Sequence, residues 1–552
     1  RRSLKIQFKY IQDQIPFLPI SKRNQFLKNL GISYQAIFTA SEIHPQGKDL
    51  ALFARINRHG LLEEIEKKQI TFANLEGPQK ILMKKIKDLT NQISSTNISD
   101  GKLIEKMKIN KEELEAKLYK SIPQLKSRVY DLSDISREIP KDSVLIEFQR
   151  YRPFIFDNPG QSLDEQTWEE AKYQVLLLFP DNNVESIDLG KAAVIDELIS
   201  NAVISSEESL IDAQDLWEDL GKKIIKPIEK YIKNKKILYI SPDSELNKIP
   251  FSAIGSFNDS VLLGDIFEIR LITTGRDLIN LNNKGPSINK KSLVFANPSF
   301  DFIEDIKNSN EEIKNRSVFK DQKRSFDQER SLWSALPGTK KEAAAIAKIT
   351  NAKLFLEKEA SALNIQNATP PQILHIATHS FYIGDEQEEN GFANVLFTTN
   401  TLISNKRIEN PLLRSGIVLA GANNPKKNSN DDGYLTALEV SKLDWNGTEL
   451  VVVSGCESGL GELKSGEGVY GLKRSIAVAG ARSSLLSLWK VDDKATSDFM
   501  ESFYLKLKNG EGRTSALSST QKEFRNHPIK AWRHPNVWAA FQLSGDWRPI
   551  KW

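Results

Sequence analysis

The chain holds a single cysteine, Cys456, at the end of the apolar run Glu449-Leu-Val-Val-Val-Ser-Gly-Cys-Glu-Ser-Gly459. A lone cysteine cannot close an internal disulfide, so it is either an inert core residue or a thiol with a task. A second apolar run, Gln372-Ile-Leu-His-Ile-Ala-Thr-His379, ends in a histidine. Both runs read as strands, and in an open parallel sheet functional groups gather just beyond the carboxyl ends of strands. The two residues stand 456 − 379 = 77 positions apart, which leaves room for the crossover that joins parallel neighbours. An imidazole beside the thiol would favour the thiolate and later protonate a leaving amine. Gly455, Gly459 and Gly461 would let a substrate backbone come close. The amide N–H groups of Cys456 and Ser380 could converge on a developing oxyanion, where loss of one donor costs about 3–4 kcal/mol of barrier. On residue types alone, a buried inert thiol and a structural histidine remain an open alternative.

The elements that would position this pair follow from apolar spacing. The first ~120 residues read as helical. Leu82, Ile86, Leu89 and Ile93 form one stripe, and Leu103, Met107, Leu114 and Leu118 another. The turn formers Ser94 to Gly101 lie between them, which predicts an antiparallel helical hairpin. From Ser143 the pattern becomes strands separated by helices. Val144–Phe148, Tyr173–Phe179 and Lys236–Ile240 read as strands, with a helical stretch from Ile195 to Lys233. Asn280 to Lys291 reads as a linker and Asp301 to Ser331 as a charged mobile loop. Further strands are expected at Ser292–Ala296, Ala352–Leu356, Ile373–Ala377, Gly416–Ala420, Leu450–Ser454 and Ser483–Leu488, with helices at Lys340–Ile349 and Val469–Ala479. This alternation predicts an α/β fold with a mostly parallel sheet flanked by helices. The expected domains are a helical N-terminal module over 1–142, a first α/β half over 143–290 and a second over 291–552.

At 552 residues the chain is too long for one core. A formal net charge of +4 and the lack of a basic stripe interleaved with aromatics argue against direct nucleic-acid binding. No apolar run reaches the ~18 residues of a membrane span. One cysteine fits a reducing, cytoplasmic setting. The first residue is Arg rather than Met, so the chain reads as a piece of a longer protein and the lack of a leader says little.

Longer motifs carry a resemblance. Val453-Ser-Gly-Cys-Glu-Ser-Gly-Leu-Gly-Glu462, Ser465 to Lys473 and Ala479-Gly-Ala-Arg-Ser-Ser-Leu-Leu-Ser-Leu-Trp-Lys-Val-Asp-Asp493 resemble the CHAT domain. That caspase-like family was first noted beside tetratricopeptide repeats in HetF-type cyanobacterial proteins. Ile373 to His379 matches its histidine motif, Pro411 to Asn423 and Leu435 to Val440 its intervening segments, and His534 to Phe541 its closing motif. The resemblance runs from about Ser143 to the C-terminus. The stretch Arg55-Ile-Asn-Arg-His-Gly-Leu61 is similar to the segment that precedes CHAT domains.

The resemblance implies a caspase-type fold and a cysteine endopeptidase related to caspases and separase. It maps Cys456 to the nucleophile, His379 to its base and His375 to a structural role on the same strand. It also implies a degenerate first protease-like half, here with neither Cys nor His. One departure stands out: the family usually has Gly after the catalytic histidine, and this chain has Ser380. Relatives that cut after Arg or Lys use a carboxylate in the first pocket, and Asp431, Asp432 and Glu439 are the candidates here; plain loop roles for Asp431 and Asp432 are equally open. Asn423 to Asp432 reads as an exposed, flexible loop that gates the pocket, with Lys426 or Lys427 as a self-cleavage point. Glu457, Glu462 and Glu467 show no calcium-loop pattern, and Lys464 to Gly471 lacks the order of a phosphate loop. No metal or cofactor is expected. The expected partners are a protein substrate and a regulatory protein reached through a repeat module outside this chain. The rival readings are a catalytically degenerate scaffold, which Ser380 keeps open, and a thiol acyltransferase.

Overall fold

The computed structural model describes residues 2–73, 77–95, 101–122, 128–155, 168–258, 260–282, 291–303, 332–382, 411–425, 427–428, 431–455, 458–459, 461–464 and 468–552. Cys456 and Lys426 fall outside the described residues, as do Glu457, Glu467 and positions 304–331 of the expected charged loop.

In the first half the strands are β1 (Ser143–Tyr151), β2 (Lys172–Leu178), β3 (Val184–Lys191), β4 (Ile237–Ser241) and β5 (Glu268–Leu271). The second half contributes β6 (Leu293–Pro298), β7 (Lys353–Glu357), β8 (Ile373–Ala377), β9 (Ser380–Tyr382), β10 (Ser415–Val418), β11 (Tyr434–Thr436), β12 (Leu450–Val453), β13 (Gly461–Lys464), β14 (Gly468–Gly471), β15 (Ser483–Ser487) and β16 (Phe541–Gly545). Eleven of them form one sheet in the order β3-β2-β1-β4-β5-β16-β15-β12-β8-β6-β7. Seven of its ten strand pairs are parallel, namely β1–β4, β4–β5, β5–β16, β15–β12, β12–β8, β8–β6 and β6–β7. The expected mixed α/β fold, a large mostly parallel sheet flanked by helices with a helical N-terminal region, is what the chain adopts.

Strand direction adds something the sequence did not show. β16 runs parallel to β5 but antiparallel to β15. The parallel strands of the two halves therefore point in opposite directions, and their carboxyl ends lie on opposite edges of one sheet. A site beyond β8 and β12 is thus far from the carboxyl ends of β1 and β4.

The core explains the strand residues. Leu450, Val451, Val452 and Val453 are all fully buried, since a parallel strand covered on both faces reads as a continuous apolar run. One face of the sheet packs on the helices Ala192–Glu207, Ala213–Ile224, Pro337–Thr350, Asp493–Lys508 and Arg513–Arg525, around Trp217, Trp489 and Phe499. The other face of the first half packs on the N-terminal helices: Phe38, Phe53 and Ile65 share a core with Leu145, Leu176 and Tyr239. The expected hairpin appears as helices Pro78–Ser95 and Gly101–Lys120. Met83, Ile86 and Leu118 pack there beside Val478 of the second half.

A charged plug fills the carboxyl edge of the first half. Arg55, from the helix Gly47–Arg58, is fully buried. Its Nε donates to Glu147 Oε2 at 3.0 Å, and Nη2 donates to Ser241 Oγ at 3.0 Å and to the Pro242 carbonyl at 3.2 Å. Glu147 also accepts from Thr274 Oγ1 at 2.9 Å and the Gly275 amide at 2.7 Å. Removing one member would strand a buried charge.

Candidate active site

The chain leaves β8 through Thr378 and His379 and enters β9 directly. Two bonds to β10 fix this corner: Thr378 Oγ1 donates to the Val418 carbonyl at 2.7 Å, and the Val418 amide donates to the His379 carbonyl at 2.9 Å. β9, β10 and β11 form a small antiparallel sheet beside the main one. The expected strand at Gly416–Ala420 is β10 of this small sheet.

β12 lies directly beside β8, with Val453 opposite Ile376. The Ser454 amide continues the pairing by donating to the Ile376 carbonyl at 3.0 Å. Gly455, the last described residue before position 456, packs against the turn after β8. A Cβ there would sit 2.4 Å from the Thr378 carbonyl oxygen and 3.2 Å from the Ser380 amide nitrogen. Only glycine permits this approach. Beyond position 456 the corner is tied down by Ser458, whose Oγ donates to the Val453 carbonyl at 2.9 Å, and by the Gly459 amide, which donates to the Ser487 carbonyl at 2.7 Å.

The imidazole of His379 lies against two aromatic rings, Phe300 at 5.3 Å and Trp333 at 5.2 Å between centroids. Nε2 is 2.9 Å from the Ser334 carbonyl oxygen. A carbonyl can only accept, so the neutral ring carries its proton on Nε2 and leaves Nδ1 as the basic nitrogen. Burial lowers the pKa of His379 from its ordinary value; the Ser334 carbonyl opposes this and Lys490 adds to it. The ring is therefore neutral near pH 7 and fit to accept a proton.

Phe300 is brought in by a bend in β6. The register shifts between Ala296 and Pro298, and Asn297 adopts a left-handed φ of 46°, which Asn tolerates better than most residues. The Ser299 and Phe300 carbonyls then accept from the Gly421 amide at 3.0 Å and the Asn423 amide at 2.9 Å. Trp333, Ser334, Phe300 and Asn423 were not singled out by the sequence reasoning. The one signal available was the apolar stretch Leu332-Trp-Ser-Ala-Leu-Pro337 emerging from a charged run.

Ser380 is buried opposite Ile417. It is not among the described non-glycine residues with positive φ, so a glycine is not required there on conformational grounds. Of the pocket candidates, Asp431 accepts from the Leu363 amide at 2.7 Å and the Gly433 amide at 3.0 Å, one on each carboxylate oxygen. Asp432 accepts from the Tyr434 amide at 3.1 Å. Glu439 is buried and closes a capping box with Thr436 at the helix Ala437–Val440. The stretch expected as a free loop is anchored at its start. Asn424 Nδ2 donates to the Asp301 carbonyl at 3.0 Å, and buried Asn428 donates to the Phe302 carbonyl at 3.0 Å. Lys427 is exposed. His375 is fully buried within β8, 3.0 Å from Glu342 Oε1 and 3.2 Å from the Tyr504 hydroxyl. Among the described residues no group of three or more His, Cys, Asp or Glu could hold a metal ion, and no helix is long and apolar enough to cross a membrane.

The sequence matches the CHAT domain over residues 214–546, and the chain belongs to that family. Among curated proteins, human tetratricopeptide repeat protein 28 is 25% identical over 230 residues, which is 40% of this chain and 9% of the relative. The mouse protein of the same name is 25% identical over 227 residues, with the same shares. The chain thus matches about a tenth of the length of these relatives, and both are repeat proteins, in keeping with a repeat–CHAT architecture. Among solved structures, separase in the Saccharomyces cerevisiae separase–securin complex is similar at a TM-score of 0.45 and 9% identity, covering 92% of this chain and 34% of that one. The Arg-specific cysteine proteinase gingipain R is similar at a TM-score of 0.33 and 9% identity, covering 65% of this chain and 75% of that one.

Proposed function

We propose that the chain is a cysteine endopeptidase in which His379 serves Cys456. The observation that carries the proposal is the register of β8 and β12. Ile376 lies opposite Val453, and Gly455 packs against Thr378 and Ser380, which supports a thiol at the next position within reach of His379. Family membership and a neutral imidazole with Nδ1 available support the same reading.

In this reading Nδ1 of His379 takes the proton from Sγ of Cys456. The thiolate attacks the peptide carbonyl carbon, and the oxyanion is met by the amide N–H groups of Cys456 and Ser380. The C–N bond breaks as the imidazolium protonates the departing amine, leaving a thioester. Water then attacks the thioester carbonyl, His379 takes its proton, and the thiolate departs. Preference for a basic residue before the cut belongs to the same proposal, read by a carboxylate among Asp431, Asp432 and Glu439. So do a regulatory role in a reducing cytoplasm and control by a protein bound to an attached repeat module.

The test is cleavage of a peptide library by the wild type and by Cys456→Ala. The expected result is cleavage by the wild type alone, enriched after Lys or Arg. No cleavage and no labelling of Cys456 by thiol electrophiles, with the native partner present, would leave a binding scaffold instead.

A further inference from the structure

We infer that Asn423 is a positioning residue for His379: it ties together the two chain segments that flank the imidazole and so fixes the Ser334 carbonyl that receives the Nε2 proton. The inference rests on His379 being the base for Cys456.

Asn423 makes four hydrogen bonds to these segments. Its backbone amide donates to the Phe300 carbonyl at 2.9 Å. Its Oδ1 accepts from the Trp333 amide at 2.9 Å, and its Nδ2 donates to the Trp333 carbonyl at 3.1 Å and to Asp301 Oδ1 at 2.8 Å. Its side chain thus grips residue 333 at both backbone groups and holds Asp301, while its backbone amide holds Phe300. Phe300 and Trp333 are the two rings against the imidazole, and Ser334 is the next residue after the grip.

A second set of bonds closes the arrangement. The Trp333 indole Nε1 donates to the Tyr434 hydroxyl at 3.0 Å, and that hydroxyl donates to the Ala422 carbonyl at 3.0 Å, one residue before Asn423. Gly421, with φ of 87°, turns the chain so that its own amide reaches the Ser299 carbonyl. Ser334 is itself exposed, so the direction of its carbonyl depends on how Trp333 is held. A side-chain amide carries an acceptor oxygen and a donor N–H side by side, so it can accept from one backbone N–H and donate to the carbonyl of the same residue. Aspartate keeps the acceptor but loses both donors and sets a second carboxylate against Asp301.

Lys490 disfavours protonation of the imidazole, and Asp301 meets the site as the acceptor of an Asn423 Nδ2 bond. The Ser334 carbonyl favours the protonated ring. A ring released from that carbonyl titrates lower and no longer presents Nδ1 in a fixed direction.

The experiment uses iodoacetamide on the sole cysteine, with rates measured from pH 4.5 to 9 in the wild type, Asn423→Ala, Asn423→Asp and His379→Ala. The His379 ring is titrated in parallel by NMR, and thermal melts report folding. The wild type is expected to show a reactive limb at low pH that His379→Ala abolishes. Asn423→Ala should slow that limb about tenfold or more, as expected for loss of a hydrogen bond to a charged ring, and move the His379 titration downward. Asn423→Asp, which loses both donors and sets a carboxylate against Asp301 and the Trp333 carbonyl, should slow the limb at least as much and serves if the alanine variant does not fold. A lowered melting temperature with limb and titration unchanged would make Asn423 an ordinary loop residue and overturn the inference. A wild type without the His379-dependent limb would instead overturn the pairing with Cys456, while the NMR titration would still read Asn423 on its own.

Discussion

Gly455→Ala is the substitution the geometry predicts most sharply. The added methyl would fall 2.4 Å from the Thr378 carbonyl oxygen, 3.1 Å from Ser380 Oγ and 3.2 Å from the Ser380 amide nitrogen. A carbon and a carbonyl oxygen rest at about 3.3 Å or more, so the ends of β8 and β12 must part by roughly 1 Å. The obstacle is backbone of a strand turn bonded to β10, not a side chain that can rotate away. Overpacking of this kind costs about 1–3 kcal/mol in stability. The effect on chemistry is larger, because a displacement of about 1 Å at reacting groups costs on the order of 10²-fold in rate. The assay is peptide hydrolysis and iodoacetamide labelling of Cys456, each beside a thermal melt. Gly31→Ala, where an added Cβ meets nothing within 4 Å, is the control and should leave all three unchanged. Ser380→Gly should not rescue Gly455→Ala, since the Thr378 carbonyl remains in place. Wild-type rates in a folded Gly455→Ala protein would refute the claim that this contact sets the spacing of positions 379 and 456.

Other outcomes follow from the same structure. Ser380→Gly alone should keep hydrolysis within about threefold and cost about 0.5–1 kcal/mol in chemical denaturation, since Ser380 has no positive φ to relieve. Asp546→Asn should cost about 3–5 kcal/mol. Burial would push the Asp546 carboxyl up, but Arg548, Arg513 and Arg482 hold it well below the usual carboxylate range, with Arg482 at 2.8 Å and Arg548 at 2.9 Å. His59 is buried, and burial followed by the charges of Arg55 and Arg276 holds it well below its ordinary value. Unfolding then takes up a proton below pH ~6.5 that the folded ring refuses. Stability should be full above that pH and fall by up to about 1.4 kcal/mol per pH unit as acid is added; His59→Gln should flatten the slope of a pH-dependent urea series.

The strands nearest the site were legible because they are buried on both faces. Ile373–Ala377 and Leu450–Val453 carry unbroken apolar runs that periodicity detects, and the glycines after β12 marked a close approach. β9 and β11, three residues each, are too short to carry a pattern, and β5, Glu268-Ile-Arg-Leu271, alternates within a half-exposed surface. The reversal of strand direction at β16 could not be read locally, since it depends on which neighbours a five-residue strand finds. The charged plug at Arg55 was hidden for a related reason: in sequence it is one cation on an amphipathic helix, and only the fold sets it against Glu147, 92 positions away. Around His379 the sequence offered the ring but not its support. Ser334 acts through a backbone carbonyl, which no side-chain type announces, and Asn423 looked like the start of a polar loop. Its role appears only once residues 300, 333 and 423 meet.

The central claim is that His379 activates Cys456. It is tested most directly by reaction with a peptidyl acyloxymethyl ketone ending in Arg, with mass spectrometry locating and counting the adduct. One adduct per chain is expected, on Cys456, formed at least a hundredfold more slowly in His379→Ala, about 10² being the low end for loss of a general base. Equal labelling of the wild type and His379→Ala, both folded by thermal melt, would contradict it.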